Sequence, residues 1–253
     1  MGWKLVDLSH PWGMDTPPWV GYASPKIYYT QRLPYNHIVS QWIETSLHIG
    51  THMDAPLHGV AGGCDMASIP LNQCFGEGVI VDISEDVSEW GFITPEMIMK
   101  RMDVKKGDIL VYHTGWHRYY TYGSEPDEER YMCRHPGPGK REFADWICDM
   151  QFKWIGVDAG SGDHPMNTTI RKMRPDLAKE FEEKMGRPLS QIFPDKDLFF
   201  MHRKPFAHRI PHIENIGGDI DQVLNRRCYI GAFPWRFVGG EASICRVAAF
   251  IEQ

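Results

Sequence analysis

The sequence has no long hydrophobic run: among its 253 residues, no apolar stretch approaches the ~20 residues that a membrane-spanning helix needs. The first residues, Met-Gly-Trp-Lys-Leu-Val-Asp, also lack the apolar core and the small-residue cleavage site of a signal peptide. These absences argue against a membrane protein and against a secreted protein. We therefore expect a cytoplasmic protein that has no membrane partner.

Closely spaced cysteine pairs and basic clusters are missing. None of the six cysteines lies in a Cys-x-x-Cys pair, which excludes a zinc knuckle and a thioredoxin-like motif. The 27 Lys and Arg residues are outnumbered by 33 Asp and Glu residues, which leaves a formal net charge of −6. Binding to a phosphate backbone normally requires concentrated positive charge, so we expect no nucleic-acid partner.

Three common motifs are also absent. The sequence has no Gly-x-Ser-x-Gly elbow, no P-loop and no Gly-x-Gly-x-x-Gly after a predicted strand. Their absence removes the grounds for a serine hydrolase, a nucleotide-binding protein or a dinucleotide-binding protein.

The composition is that of a folded protein. Hydrophobic residues make up 42% of the chain, with nine Trp and twelve Phe, which is enough for a sizeable core. No stretch resembles a linker, so residues 1–253 are predicted to form a single domain. Short β-rich runs alternate with helices, which predicts an α/β fold. Predicted strands occupy residues 78–84, 108–112, 153–157, 228–233 and 244–251, and predicted helices begin at residue 94 or span residues 141–151 and 175–185.

Residues 117–143 differ from the rest because they are polar, aromatic and rich in turn residues. We predict a long loop here. Long loops in compact domains are usually functional or disordered, and the tyrosines favour a function. Tyr119, Tyr120 or Tyr122 is expected to help shape a pocket, in its own protomer or in a neighbour's.

Three histidines and one aspartate fall within residues 48–58, which read His-Ile-Gly-Thr-His-Met-Asp-Ala-Pro-Leu-His. In a helix, His48 and His52 would share a face, but Asp54 would point about 240° away from His48. The glycine, the threonine and the proline of this stretch also oppose a helix. The helical interpretation therefore fails.

A strand fits the stretch better. Residues 42–54 alternate so that His48, His52 and Asp54 share one face. A straight strand would separate His48 from Asp54 by about 20 Å, whereas zinc ligands each lie about 2 Å from the ion. The pattern therefore predicts a sharp bend at Gly50, with the strand ended by the proline that follows. The alternative is that these are surface or core histidines with no ligand role.

This stretch resembles the HxGTHxDxPxH signature of the cyclase-like metal-dependent hydrolases, a family that includes bacterial kynurenine formamidases and isatin hydrolases. The match is complete at every signature position. Weaker similarity extends to Val6-Asp-Leu-Ser-His, to Ser68-Ile-Pro-Leu and to residues 76–84. The resemblance implies a swivelling β/β/α fold, in which helices surround a barrel-like sheet, and it implies a homodimer or a homotetramer.

The resemblance also implies roles for individual residues. His48, His52 and Asp54 match the family's metal ligands, and the Asp54 carboxylate is able to bridge two ions. His58 matches the general acid/base.

Further ligands are expected late in the chain. In the family's formamidases a histidine is followed by a glutamate twelve positions later, and His202 and Glu214 reproduce that spacing. His208 and His212 are rival ligands, and each of these histidines could instead have no ligand role. Imidazole and carboxylate donors suit zinc, the first choice, or manganese, with one or two divalent ions in the site.

Two more segments are expected near the site. Trp19 lies in Pro-Trp-Val-Gly, which resembles a Trp-Pro-Gly element of the family's substrate pocket, although valine replaces the proline. A buried packing tryptophan is the alternative. Residues 157–165, which include Ser161, Asp163 and His164, are expected to form at most a pocket wall.

These implications predict a metal-dependent hydrolase that cleaves the C–N or C–O bond of a small cyclic amide, imide or lactone, with isatin as one type of substrate. Metal-activated water would attack the carbonyl, and His58 would transfer the proton. N-formylkynurenine is the second choice, because the family's simple formamidases are expected to be shorter and to lack a segment like residues 117–143. A non-catalytic metal-binding protein and a ring-closing or dehydrating enzyme are the remaining alternatives.

Overall fold

The computed structural model describes residues 2–253. Its strands are β1 (Trp3–Asp7), β2 (Lys26–Gln31), β3 (Ser40–Glu44), β4 (His52–Asp54), β5 (Phe75–Asp82), β6 (Phe92–Ile93), β7 (Ile109–His113), β8 (Gly137–Pro138), β9 (Ile155–Val157), β10 (His212–Glu214), β11 (Arg226–Pro234) and β12 (Ala242–Glu252). Its α-helices are α1 (Leu33–Asn36), α2 (Pro56–Gly59), α3 (Pro95–Arg101), α4 (Glu128–Cys133), α5 (Glu142–Met150), α6 (Ile170–Met173), α7 (Pro175–Met185), α8 (Leu189–Ile192) and α9 (Phe200–Ala207). Over these described residues, no helix is long and apolar enough to cross a membrane.

The main sheet closes into a barrel. Its order is β12-β11-β5-β7-β9-β10-β4, and β4 pairs again with β12, while β1 joins the free part of β12. β5, β7, β9 and β10 run parallel to one another, and β4, β11 and β12 pair antiparallel with their neighbours. The barrel-like sheet expected from the resemblance is confirmed. Closure leaves few unpaired strand edges, which are otherwise sites of aggregation.

Alternation along the strands separates two cores. The residues that face the barrel interior form one buried cluster, which includes Met53, Ile80, Val111, Ile213 and Val247. Their neighbours along β5 and β7 face outward and pack against α5, α7 and α9 in a second buried cluster, which includes Val79, Val81, Leu110, Tyr112, Phe143, Phe181 and Met201. Helices therefore surround the barrel, as predicted.

Most strands and helices predicted from local sequence patterns are present in the structure. Each predicted strand from residue 78 onward overlaps one of the observed strands, and the helices predicted at residue 94 and over 141–151 correspond to α3 and α5. The helix over residues 175–185 has the predicted bounds, because Pro175 starts it and Gly186 ends it with a φ of 66°.

Two predictions are wrong in part. The strand over residues 42–54 is broken, because β3 pairs with β2 in a separate two-stranded sheet, whereas β4 belongs to the barrel. Residues 117–143 do not form a single loop: they hold the end of a 3₁₀ turn (Trp116–Tyr119), α4, β8 and the start of α5. Tyr119 and Tyr120 are buried in the outer core, which orders the segment.

Candidate metal centre

The centre is built on two neighbouring barrel strands. In the antiparallel pair of β4 and β10, His52 lies opposite Glu214 and Asp54 opposite His212. Met53 and Ile213 occupy the barrel interior. Because side chains alternate along a strand, the four polar residues on either side of them face outward.

A bend before β4 brings His48 to the same place. Gly50 has a φ of 62°, which L-residues with a side chain rarely adopt. His48 Nδ1 lies 2.9 Å from Asp54 Oδ1, and His52 Nε2 lies 3.3 Å from the same oxygen. The predicted bend at Gly50 is therefore present, although His48 lies outside the strand.

The second half of the centre comes from α9 and β10. His202 Nε2 lies 3.3 Å from Glu214 Oε1 and 3.5 Å from Asp54 Oδ2. The other Glu214 oxygen lies 3.6 Å from His52 Nε2. One oxygen of Asp54 thus faces His48 and His52, and the other faces His202. A carboxylate able to bridge two metal ions would have this arrangement.

Two imidazole rings are held by their Nδ1 atoms. His52 Nδ1 lies 2.8 Å from the Gly50 carbonyl oxygen, and His202 Nδ1 lies 2.7 Å from Asp163 Oδ2. A ring that donates its Nδ1–H in this way leaves the lone pair of Nε2 available to a metal ion. This is the usual arrangement of a metal-binding histidine. The sequence placed Asp163 only in a pocket wall; its contact with His202 is decided by the fold.

The charges of the centre favour a bound cation. Asp54 is fully buried, and within residues 2–253 neither of its oxygens accepts a hydrogen bond of normal geometry. Burial opposes its ionisation, but His48, His52 and His58 hold the pKa of Asp54 well below its usual range. A buried carboxylate without such compensation is costly.

The histidines respond to the same carboxylates. Burial opposes protonation of His48, but Asp54 and Glu241 raise its pKa to about 10. Burial also opposes protonation of His202, but Asp163, Asp54 and Glu214 raise its pKa well above its usual range. The centre therefore attracts positive charge. Imidazole nitrogen and carboxylate oxygen are ligands for zinc or manganese, so these residues fit a divalent ion whose binding would release protons.

His58 lies on α2 at the edge of the centre. Its Nδ1 is 3.2 Å from Glu241 Oε2, and the same oxygen is 2.5 Å from His48 Nε2. Burial opposes ionisation of Glu241, but hydrogen bonds from His48 and His58 lower its pKa to about 2. Sequence reasoning missed Glu241, which follows two glycines in no recognised motif.

A cavity of about 360 Å³ opens beside the centre. His48, His58, His202 and Glu214 contribute to its wall, and its other lining residues include Trp19, Tyr22, Ser161, Thr169, Phe199 and Arg203. Trp19 thus lies where a pocket residue was expected. Tyr119, Tyr120 and Tyr122 do not line this cavity in their own protomer, because the first two are buried in the outer core and Tyr122 lies on the surface.

The structure distinguishes the other candidate histidines by their distance from the centre. His208 is exposed just after α9 and belongs to none of the donor groups found among residues 2–253. His164 is buried elsewhere and accepts a hydrogen bond from the Met166 amide. His212 does lie within the donor group of His202 and Glu214, and burial lowers its pKa to about 3. His212 therefore stays a candidate ligand.

The fold and the site together define a class of protein: a mixed α/β barrel with a buried centre of imidazole and carboxylate groups suited to divalent cations, beside a cavity of small-molecule size. The chain belongs to the putative cyclase family, whose family model matches residues 6–164.

Individual relatives agree with this membership. The chain is 23% identical over 247 residues to a kynurenine formamidase of Erythrobacter litoralis (strain HTCC2594), covering 96% of this chain and 92% of that protein. The structure is similar to isatin hydrolase A from Labrenzia aggregata bound to benzyl benzoate, with a TM-score of 0.79, 17% identity, and coverage of 99% of this chain and 94% of that one. Isatin hydrolase A from Ralstonia solanacearum is similar with a TM-score of 0.76, 19% identity, and coverage of 99% and 92%.

The bend at Gly50 can be tested by Gly50→Ala. A Cβ at this position would lie 2.7 Å from Trp12 Cδ1 and would displace the carbonyl that holds His52. Loss of such an orienting partner typically weakens metal binding by about 10–100-fold, which we expect in a zinc titration.

Gly62→Ala is the matched control. Gly62 also has a positive φ, of 74°, but an added Cβ meets nothing within 4 Å. Both variants should lose about 1–2 kcal/mol of stability through left-handed strain. Equal weakening of zinc binding in the two variants would contradict a specific role for the bend.

Proposed function

We propose that this protein is a metal-dependent hydrolase that cleaves the C–N or C–O bond of a small cyclic amide, imide or lactone. The observation that carries the proposal is the buried Asp54 carboxylate, which lies between His48 and His202. Both of these histidines line a cavity. We assign His48, His52 and Asp54 to one half of a divalent-metal site, and His202 and Glu214 to the other half. Zinc is the first choice and manganese the second.

A divalent ion held in such a centre supplies a water of lowered pKa and polarises a carbonyl group. The protein's own groups do the rest. Asp54 and Glu214 would hold the cation with negative charge, and Asp163 fixes the ring of His202. The helices α2 and α9 carry His58 and His202 at the centre.

His58 is the residue we assign to proton transfer. Its Nδ1 faces the Glu241 carboxylate, so a neutral ring that donates Nδ1–H to this carboxylate would keep a lone pair on Nε2. The partly exposed ring lines the cavity, where Nε2 would accept a proton from water and return it to the leaving nitrogen or oxygen. Glu241 would stabilise the protonated ring, as a carboxylate does beside other catalytic histidines.

The cavity wall supports a flat, aromatic substrate. Trp19, Tyr22 and Phe199 offer aromatic surface, and Thr169 and Arg203 offer polar groups at the rim. Aromatic side chains bind flat rings by offset or edge-on stacking. This lining and the structural similarity to isatin hydrolases favour a bicyclic amide of the isatin type.

N-formylkynurenine is a second candidate, which the similarity to a kynurenine formamidase favours. The expectation that formamidases are shorter provides no ground against it, because the alignment covers 92% of that relative and 96% of this chain. Both candidates are aromatic molecules with a C–N bond to a carbonyl carbon, so the cavity alone does not rank them.

A substrate panel tests the proposal. Chelator-stripped protein, reloaded with zinc or manganese, would be assayed on isatin, a cyclic imide, an aromatic lactone and N-formylkynurenine. We expect turnover of a cyclic substrate by the reloaded protein and none by the stripped protein. Turnover of N-formylkynurenine alone would favour the second candidate. Full metal loading without turnover of any compound would contradict the proposal and indicate a non-catalytic metal-binding protein.

The His58 assignment predicts a separation of metal binding from rate. His58→Ala should bind metal almost normally but lose about 10²–10⁴-fold in kcat, the usual contribution of general acid–base catalysis. Metal analysis and turnover would be measured on the same sample, with His208→Ala as an exposed control. Loss of metal in step with activity would instead make His58 a ligand.

We further propose that the protein assembles as a homodimer or homotetramer through its two-stranded sheet. Many large apolar side chains of this ribbon, residues 26–44, are exposed: Tyr28, Tyr29, Leu33, Tyr35, Ile38, Val39, Trp42 and Ile43. An isolated two-stranded hairpin is marginally stable, and monomers rarely expose large apolar patches. A second copy of the chain would cover this surface.

Sedimentation of a double variant tests the assembly. Tyr35→Lys with Trp42→Lys places two charges where the ribbon would be buried, so we expect a shift from the oligomer to the monomer. Leu71→Lys, at a residue that is 72% exposed outside the ribbon, is the control. An unchanged sedimentation coefficient in the double variant would contradict the proposed interface.

A further inference from the structure

A second group of imidazole and carboxylate side chains lies at the carboxyl ends of three adjacent parallel strands. Asp82 ends β5, His113 ends β7, and Asp158 directly follows β9. Asp82 and His113 are paired in the β5–β7 register. Each lies two residues beyond an inward-facing residue, Ile80 or Val111, so both lie at the mouth of the barrel interior.

The ring of His113 is oriented like that of a metal ligand. Its Nδ1 lies 2.9 Å from Asp82 Oδ1, and its side chain is almost fully buried. A carboxylate at Nδ1 fixes the proton there and leaves the Nε2 lone pair free for a cation. That Nε2 atom points at the side chains of His117 and Asp158.

The three donor atoms have the spacing of a coordination sphere. His113 Nε2 lies 3.2 Å from His117 Nδ1, His117 Nδ1 lies 3.3 Å from Asp158 Oδ2, and His113 Nε2 lies 3.6 Å from Asp158 Oδ2. Tetrahedral zinc bound at about 2.0–2.1 Å places its ligand atoms roughly 3.3–3.4 Å apart. The three atoms therefore match one triangular face of such a tetrahedron.

A fourth candidate ligand, the carboxylate of Asp221, approaches from the surface. Asp221, in the 3₁₀ turn Ile220–Val223, has Oδ1 3.7 Å from His113 Nε2 and Oδ2 3.4 Å from His117 Nε2. Its side chain is 69% exposed, so this side of the group is open to solvent. An ion therefore has a route of entry.

The buried carboxylate of Asp158 supplies negative charge at the centre of this group. Asp158 is fully buried and accepts hydrogen bonds of 2.7 Å from the backbone amide and the hydroxyl of Thr114. Burial opposes ionisation of Asp158, but the histidines and Thr114 lower its pKa, so it carries a negative charge. Burial opposes protonation of His117, but Asp158 and Asp221 raise its pKa.

We propose that His113, His117, Asp158 and Asp221 form a binding site for a divalent cation of the zinc type, separate from the centre at Asp54. It shares no residue with that centre and does not rest on the proposed hydrolase activity. A cation here would join β7, β9 and the turn at Asp221 across the mouth of the barrel, so it would stabilise the fold. The competing explanation is a network of hydrogen bonds in which His117 donates to His113 and Asp158.

Metal stoichiometry separates the two explanations. Full-length chelator-stripped protein would be titrated with zinc alone, and with cobalt to record the visible absorption of a tetrahedral site. To isolate the proposed site, the titration would be repeated with His52→Ala combined with Asp54→Asn, which disables the first centre. We expect that variant to keep one tetrahedral ion per chain, and we expect bound zinc to raise its melting temperature.

Variants within the group provide the decisive comparison. Adding His117→Gln should abolish the remaining ion, and adding the conservative Asp82→Asn should weaken its binding by about 10–100-fold through loss of the ring's orientation. His208→Gln, at an exposed histidine, is the control and should change nothing.

Asp221→Asn guards against misfolding, because this exposed residue is replaced by one of the same size. It should weaken the remaining site while the circular dichroism spectrum of the metal-free protein stays unchanged. Absence of a remaining ion in the His52→Ala and Asp54→Asn background, or equal zinc binding with and without His117→Gln, would overturn the proposal in favour of the hydrogen-bond network.

Discussion

The burial of the Asp54 carboxylate is the constraint on which the candidate centre depends. An ionised carboxylate removed from water loses several kcal/mol of solvation, and within the described residues it gains no hydrogen bond of normal geometry in return. The imidazoles of His48, His52 and His202 surround it, and a divalent cation would offset its charge more fully. Asp54 is held in this position because β4 pairs on one side with β10 and on the other with β12.

The same three-residue strand therefore closes the barrel and carries His52 and Asp54 of the centre. Displacing β4 would both open the sheet and separate Asp54 from Glu214. Because a preformed metal site is absent from an unfolded chain, metal binding at such a place contributes directly to folding stability. The contacts from Asp163 to His202 and from the Gly50 carbonyl to His52 add to this coupling between metal binding and folding. They orient the two imidazole rings only when α9 and the bend at Gly50 are in place.

The barrel wall presents different chemistry on its two faces. Outward-facing positions of β4 and β10 carry the centre that we assign to hydrolysis. Inward-facing positions at the ends of β5 and β7 carry His113 of the second proposed site and Asp82, which orients the His113 ring. Alternate residues along a strand face opposite sides of a sheet. The same barrel can therefore hold two groups of ionisable side chains that share no ligand.

Short-range features were determined by the sequence itself. Pro175 and Gly186 set the bounds of α7, and the glycine before His52 predicts the bend. The density of histidine and aspartate over residues 48–58 indicates a candidate metal site. Each of these signals depends only on neighbours along the chain. Only the tertiary structure decided that β3 pairs with β2 outside the barrel and that Tyr119 and Tyr120 are buried in the outer core. It also decided that Glu241 contacts His48, from which it is separated by 193 positions along the chain. The physical reason is that closing a barrel joins strands from distant parts of the chain, and no local period or spacing encodes which distant side chains then meet.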